Sequence, residues 1–404
     1  MADRILIIGD TIGVFLAVAR SLGRRGIEVH VAPTDLSSPG LASRYIRATH
    51  ILPPYHADPA AWLAALDRLI AAHDYRLIVP CSDSSLAMLH HHADHLGRAR
   101  LAIANESAMT AFTDKAETRA LAERLGVPIA AGETVAPGST AAELAARLGL
   151  PFVLKPRVSY RLGEYRTKQH ARIVRDAAVS GPACIEQTNE VWLAEAFFRG
   201  DGVGVSVLAR SGRILLAWQH RRLEVVAETG ASTVRVGEPL DARLLVHVEK
   251  LAAATALDGV AMFEFRCDPA SGAHVLLEVN PRFWGSLPLA VAAGADFPGA
   301  LWDMLNGDAV EASPPARTAT IKRNMTGEYD RLADDIGAAG SIAGKLVAAL
   351  AMLARLPTLL SGARFDSWAA DDLRPFATER RQLARRLARA FAKRAERVRG
   401  AGAD

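Results

Sequence analysis

Two apolar stretches of the chain carry acids where a buried strand should have none. They read Val260-Ala-Met-Phe-Glu264-Phe-Arg266 and Val275-Leu-Leu-Glu278-Val279, and Asn280 and Arg282 follow at alternating positions. Between them, Asp268-Pro-Ala-Ser-Gly-Ala273 is rich in turn formers, so the pair reads as a hairpin. In a hairpin, Glu264 and Glu278 can fall side by side on one face. Adjacent carboxylates repel, and burial raises the cost. A divalent cation removes both problems, and Mg²⁺ takes oxygen ligands that it usually shares with phosphate. The strand period puts Asn280 on the face of Glu278, where its amide oxygen offers a third ligand. Arg282 repeats the spacing and is suited to a phosphate or a substrate carboxylate. The bland alternative is a surface strand with ordinary alternating acids. Phe263, Phe265, Leu276, Leu277 and Val279 argue against it, because both faces look covered.

The elements that must position these groups follow from periodicity. Residues 4–8 read as a buried strand, Gly9 to Gly13 as a turn, 13–24 as a helix and 27–32 as a second strand. A helix near 58–73, a strand at 77–80, a helix near 83–96 and a strand at 101–104 continue the alternation, which implies a parallel sheet. Gly9 and Gly13 are spaced G-x-x-x-G, not as a dinucleotide fingerprint, so a tight turn is the simpler reading and a ligand contact the alternative. A second unit starts near Met109. Thr113 is a plausible N-cap and Gly126 a plausible C-cap of its first helix, with a further helix near 139–148 and a strand at 151–156. The third unit has strands near 192–199, 203–210 and 213–219, a helix at 241–257, and the hairpin. Beyond 310 the pattern fades, apart from helices at 340–356 and 376–399.

Composition excludes several classes. At 404 residues, half of them apolar and 23% charged, the chain suits a multidomain globular protein. Cys81, Cys184 and Cys267 are isolated, which suits a reducing cytoplasm and argues against a disulfide framework. No signal peptide is read at the start, and the longest apolar run, Leu346–Ala354, is short for a membrane span. Of the net charge of +4, residues 379–404 supply nine basic minus three acidic groups, or +6, so the body sums to −2. Leu383, Leu387 and Phe391 form an apolar stripe in that basic tail. Docking on the body is as simple as peripheral membrane contact, which is not favoured, and nucleic acid is not expected. His90, His91, His92 and His95 read as an exposed helix face, and Asp83 as a helix cap. His220-Arg221-Arg222 offers arginines to phosphate or substrate carboxylate, or ends a strand in solvent. The small-residue loop Thr229–Thr233 either approaches substrate or simply connects strands.

Glu264 with Leu277-Glu278-Val-Asn280-Pro-Arg282 resembles the magnesium-binding end of the ATP-grasp superfamily. Asp114-Lys115, Val153-Leu-Lys155-Pro156 and Leu193-Ala-Glu195-Ala-Phe-Phe198 stand upstream in the family's order, and the resemblance covers about residues 1–310. Gly200-Asp-Gly-Val-Gly-Val-Ser206, His220-Arg-Arg-Leu223 and Asn280-Pro-Arg-Phe-Trp-Gly-Ser286 look most like uncharacterised bacterial carboxylate–amine ligases near the carbamoyl-phosphate synthetase large subunit.

The resemblance implies a mixed α/β and α+β fold. An open parallel-sheet α/β domain spans 1–108, a lid subdomain 109–188, and a mixed-sheet metal and nucleotide subdomain 189–310. A helical basic extension covers 311–404. It implies that Lys115 and Lys155 contact ATP phosphates and that Glu195, Ala196, Phe197 and Phe198 form the hinge strand along the adenine. Glu264, Glu278 and Asn280 hold one or two Mg²⁺ (Mn²⁺ stays open), and Arg282 faces the transferred phosphoryl group. The activity implied is ATP-dependent joining of a small-molecule carboxylate to an amine through an acyl phosphate. A bicarbonate-activating enzyme and a non-catalytic nucleotide-binding regulator are the alternatives, and a homodimer stays open. Two departures stand out. The loop 157–168 has one glycine and three arginines, which either replace backbone amides at phosphate or are solvated. Gly204 stands where many relatives have a ribose-holding acid, for which Asp201 is the candidate substitute.

Overall fold

The computed structural model describes residues 3–9, 11–136, 138–160, 170–177, 191–226, 232–310, 317–338, 341, 343, 344, 346, 347, 350 and 364–400. The loop 161–169, Cys184, most of Thr229–Thr233 and most of the 340–356 helix lie outside them.

The first unit is a four-stranded parallel sheet in the order β3-β2-β1-β4, from β1 (Arg4–Ile8), β2 (Glu28–Ala32), β3 (Ile46–Thr49) and β4 (Leu77–Pro80). β1, β2 and β4 are nearly continuous buried runs, rich in Ile, Leu and Val, because helices cover both faces, whereas the edge strand β3 is half-exposed. Gly9 leaves β1 at φ +103°, a conformation that glycine adopts without strain. Gly13 lies inside α1 (Ile12–Arg24), where a Cβ would meet the Gly285 carbonyl at 3.3 Å. The glycines therefore serve a turn and a close packing contact. The strand expected at 101–104 is reduced to one bridge, Leu101 to Ile78, because the chain then turns and Asn105 bonds to Asp258 and Thr255. The helix expected at 83–96 breaks at His92 into α3 (Asp83–His91) and α4 (Ala93–Leu96). Between β3 and β4, α2 (Pro59–His73) starts on an Asp58 cap that accepts from Ala61 N.

The second unit holds α5 (Glu106–Thr113), α6 (Lys115–Arg124), α7 (Ala141–Leu148) and a four-stranded sheet. Its order is β5-β8-β6-β7, from β5 (Gly132–Thr134), β6 (Phe152–Pro156), β7 (Arg172–Val174) and β8 (Trp192–Ala196). Asp114, not Thr113, caps α6. Its carboxylate accepts from Ala116 N, whereas the Thr113 hydroxyl bonds back to the Met109 carbonyl.

The third unit is a six-stranded sheet in the order β13-β12-β9-β10-β11-β14. It comprises β9 (Asp201–Arg210), β10 (Arg213–Val225), β11 (Ser232–Glu238), β12 (Gly259–Cys267), β13 (His274–Asn280) and β14 (Ile321–Arg323). Val203, Val205, Phe263 and Phe265 form one core face against α8 (Ala242–Ala254). Fully burying each is worth about 1.5–3 kcal/mol. On the other face, Leu208, Trp218 and Met262 pack on the first unit through α1, α9 (Leu287–Ala293) and α10 (Phe297–Asn306). The same face carries polar groups at the opposite strand ends.

Beyond 310, β14 joins the sheet edge and leads into α11 (Met325–Ala338), and the last helix is α12 (Arg374–Gly400). Leu383 and Leu387 of its stripe pack with Met325, Phe365 and Phe376. Gln382 Nε2 donates to the Ser37 carbonyl at 2.7 Å, so this helix docks on the first unit. No helix among the described residues is long and apolar enough to cross a membrane.

Candidate active site

The hairpin β12–β13 sets the site. Its register pairs Glu264 directly with Glu278 and Met262 with Asn280. A bulge at Leu277 lies just before Glu278. It turns the Leu277 carbonyl toward β6, where Lys155 Nζ donates to it at 3.2 Å. Across the sheet, Glu264 aligns with Gly204 of β9, and Gly204 with His220 of β10. Alternation therefore puts Glu278, Glu264, His220 and Arg222 on one face.

Glu264 is buried with 8% exposure. It meets Arg222 Nη2 at 2.5 Å, and Asn280 Nδ2 donates to its Oε1 at 3.3 Å. Burial pushes its carboxyl above the ordinary range; Arg222 opposes this and the charge of Glu278 adds to it. Arg282 Nη2 donates to Asn280 Oδ1 at 2.9 Å, and its Nε binds Asp83. Burial opposes its charge, but Asp83, Glu278 and Glu264 outweigh that and raise its pKa. Asp83 is the first residue of α3 and Ser82 is the cap, in a capping box with Ser85. The first unit thus delivers Asp83 to the arginine of the third.

The second unit supplies the lysines. Lys155 Nζ lies 2.6 Å from Glu195 Oε2, and Arg119 approaches the same carboxylate at 3.7 Å. Lys115 Nζ donates to Ser159 Oγ at 3.1 Å. β8 ends at Ala196, so Phe197 and Phe198 run beyond the ladder toward β9.

A cavity of about 730 Å³ opens between the units. Lys115, Glu278, Asn280 and Arg282 line it, with Asp83, His90, His91, Arg98, Ser159 and Tyr160 opposite and beside them. Leu86, Met109 and Phe112 give it an apolar wall. Glu264 and Lys155 stand behind this lining. Asp201 and Arg221 are not brought to it. They lie on the other face of the sheet, paired at 3.2 Å, with Arg221 also 2.5 Å from Glu238. Of the two neighbouring arginines, Arg222 alone reaches the carboxylates, because adjacent strand residues face opposite ways.

Gly204 has a physical reason. A Cβ there would meet His220 Cε1 at 2.3 Å, so no side chain fits beneath the imidazole. His220 stacks on Trp218 with an interplanar angle of 13° and holds Ser286 Oγ at 3.0 Å. Burial, with Arg222 and Arg235 nearby, pushes its pKa down to about 3. Asp83, Arg98 and the histidines of α3 were missed as site residues. Of these, Asp83 alone carried a sequence signal, its place just past the carboxyl end of β4 in an open sheet, where ligands bind.

The donors fit a hard cation. Two carboxylates in register, one of them buried and held toward its protonated form, and an amide oxygen with lone-pair capacity beyond its bond to Arg282 make an all-oxygen set.

Sheet order, hairpin and lysine-bearing strands define the class: the chain has the ATP-grasp fold. Residues 188–327 match the family described as ATP-grasp in the biosynthetic pathway with Ter operon. Among solved structures, it is similar to the biotin carboxylase–beta-gamma-ATP complex from Campylobacter jejuni, with TM-score 0.61 and 17% identity over 80% of this chain and 74% of that one. It is also similar to L-amino acid ligase from Bacillus licheniformis, with TM-score 0.58 and 16% identity over 80% and 79%. Phosphoribosylglycinamide synthetase from Anaerococcus prevotii gives TM-score 0.58 and 16% identity over 80% and 81%. No curated protein matches the chain by sequence.

Proposed function

We propose that the chain is an ATP- and Mg²⁺-dependent ligase that joins a carboxylate to an amine. The observation that carries this is the register pair Glu264–Glu278, with Lys155 bonded behind it and a cavity lined by Lys115, Asn280 and Arg282 in front. Glu264, Glu278 and Asn280 would hold Mg²⁺, which when bound neutralises the outer phosphates. Lys115 and Lys155 serve the phosphates. Glu195 to Phe198 edge the adenine, and the 109–188 unit acts as the lid that excludes water. Arg282, aimed by Asp83 and Asn280, stabilises the phosphoryl group as it passes to the substrate carboxylate. ADP leaves, the amine attacks the acyl phosphate, and phosphate is released with the amide. No side-chain nucleophile takes part in this scheme. Arg222 orients Glu264. We do not assign Asp201 and Arg221 to the chemistry, given their face of the sheet.

The ligase and synthetase among the structural neighbours support this reading. The carboxylase among them carries the same fold, so the substrates decide. The test is ADP release from the full chain with Mg-ATP across pools of carboxylates, amines and bicarbonate, followed by mass analysis of the product. The expected result is turnover that requires both a carboxylate and an amine, with phosphate formed in step with amide. Turnover driven by bicarbonate without a carboxylate pool member, or no ADP release from any pool, would overturn the ligase reading.

A further inference from the structure

A second polar cluster lies in the first unit, away from the residues that line the cavity at Glu278. His30 of β2, His50 just after β3 and His73 at the end of α2 each present one ring nitrogen, and the three nitrogens lie within 4.8 Å of one another. The rings sit 4.9–5.0 Å apart between centroids. His30 is buried and the other two are half-buried.

The cluster is oriented from outside. Arg4 grips both oxygens of Glu28, at 3.0 and 3.2 Å, and donates to the His73 carbonyl at 2.7 Å. Glu28 Oε1 lies 2.8 Å from His30 Nε2. A carboxylate held by a guanidinium can only accept here, so His30 Nε2 carries the proton and Nδ1 presents a lone pair inward. There Nδ1 lies 3.0 Å from His50 Nε2 and 2.9 Å from the Tyr75 hydroxyl, which is itself 3.2 Å from His50 Nε2. Tetrahedral zinc with Zn–N bonds of about 2.0–2.1 Å needs ligand atoms about 3.3 Å apart. The His30–His50 spacing is close to that and the His73 ring nitrogen lies within 4.8 Å of both, and a carboxylate on the far nitrogen of a ligating histidine is the outer partner that metal sites use to fix the ring. The ordinary alternative is a hydrogen-bonded histidine cluster. It accounts for the 3.0 Å contact, but not for three imidazoles converging around an Arg4–Glu28 clamp.

We propose that His30, His50 and His73 form a binding site for a divalent transition metal, with Zn²⁺ the best match to three imidazoles. The Tyr75 hydroxyl stands beside it, where it would donate to a water in the fourth position, reached from the neighbouring cavity of about 700 Å³ that His73 and Tyr75 line. The ion would clamp β2, β3 and α2 together. The histidines are 20 and 23 residues apart, so no sequence motif announces them. This inference does not depend on the ligase reading.

The test uses the full chain, freed of any affinity tag and stripped with a chelator. Zn²⁺ alone is titrated by calorimetry, and Co²⁺ serves as the optical probe. One equivalent should bind with micromolar or tighter Kd, and Co²⁺ should give the intense visible bands of a tetrahedral nitrogen site. The double variant His50→Gln, His73→Gln should weaken Zn²⁺ binding by more than about 100-fold, and Glu28→Gln by about 10–100-fold. Glu278→Ala should leave Zn²⁺ binding intact, which separates this site from the Mg²⁺ donors. Circular dichroism checks that each variant is folded, and His73→Gln alone, at a half-buried helix end, keeps the test open if the double variant is not. Absence of wild-type binding, undiminished binding in the histidine variants, or a pale octahedral Co²⁺ spectrum would overturn the proposal.

Discussion

Two ionic clusters in this molecule differ in whether they close in the interior or open onto a cavity. At the junction of the first unit with the C-terminal segment, Arg20 faces Asp372 at 2.9 Å and donates to the carbonyls of Asp366, Ser367 and Asp372. Ser43 and the Arg44 amide complete the same carboxylate. One cation meets one anion, and the surrounding donors and acceptors close the cluster. At the hairpin, the described residues bring three carboxylates (Glu264, Glu278, Asp83) beside two guanidiniums (Arg222, Arg282), and Glu278, Asp83 and Arg282 line the cavity. The first cluster is complete within the protein. The second opens onto the cavity, where the proposed cation would sit. A charge network closed in the interior fixes a structure, whereas one that opens onto a cavity is a place to look for a ligand.

Breaking the closed cluster should have the largest effect on stability. Arg20→Ala leaves a buried carboxylate uncompensated and should cost about 3–5 kcal/mol in denaturant unfolding. The proposed Mg-ATP site should be untouched in whatever fraction stays folded.

The open cluster also predicts a pH response. His220 sits in its row and is held neutral, with a pKa pushed down to about 3, because burial beside Arg222 and Arg235 disfavours another cation. The unfolded chain takes up this proton near pH 6.5, and the folded chain does not until about pH 3. The contribution is therefore full above pH 6.5 and is lost as pH falls toward 3, at about 1.4 kcal/mol per unit. Between pH 6.5 and 5 that is about 2 kcal/mol. His220→Gln should flatten this part of the stability profile measured by chemical unfolding.

A smaller effect has the opposite sign. Glu278→Gln removes one of the facing charges and should leave the ligand-free protein as stable as wild type, or more stable by up to about 1 kcal/mol in thermal unfolding. A loss comparable to Arg20→Ala would mean that the hairpin row is as closed as the other cluster. The smallest effect belongs to the arginine on the other face. Arg221→Ala should change stability by no more than about 1 kcal/mol and leave nucleotide affinity unchanged, whereas Arg222→Ala should lower it.

These contrasts also mark what the sequence could carry. The acids within apolar strands, with Asn280 and Arg282 at period two, were legible because a buried carboxylate is a local anomaly. β1, β4, α2 and the hairpin were legible for the same local reasons. What was hidden depends on sheet register. Arg221 and Arg222 are neighbours in sequence and sit on opposite faces. Gly204 is explained only by the His220 ring lying across it on the adjacent strand. β3 and β14 are short, and pairing with neighbours rather than intrinsic pattern makes them strands. Asp83 reads as a helix start, and only the fold brings it to Arg282, 199 residues away.

The central claim is that a cation completes the Glu264–Glu278 row for a nucleotide. Its most direct test is calorimetric titration of the full chain with ATP, with and without Mg²⁺, on wild type and Glu278→Ala. The account predicts micromolar to millimolar binding that requires Mg²⁺ and weakens by about 100-fold in the variant, the loss of about 3 kcal/mol typical of truncating one member of a buried charge cluster. Binding that is indifferent both to Mg²⁺ and to Glu278, or no binding at all, would contradict it.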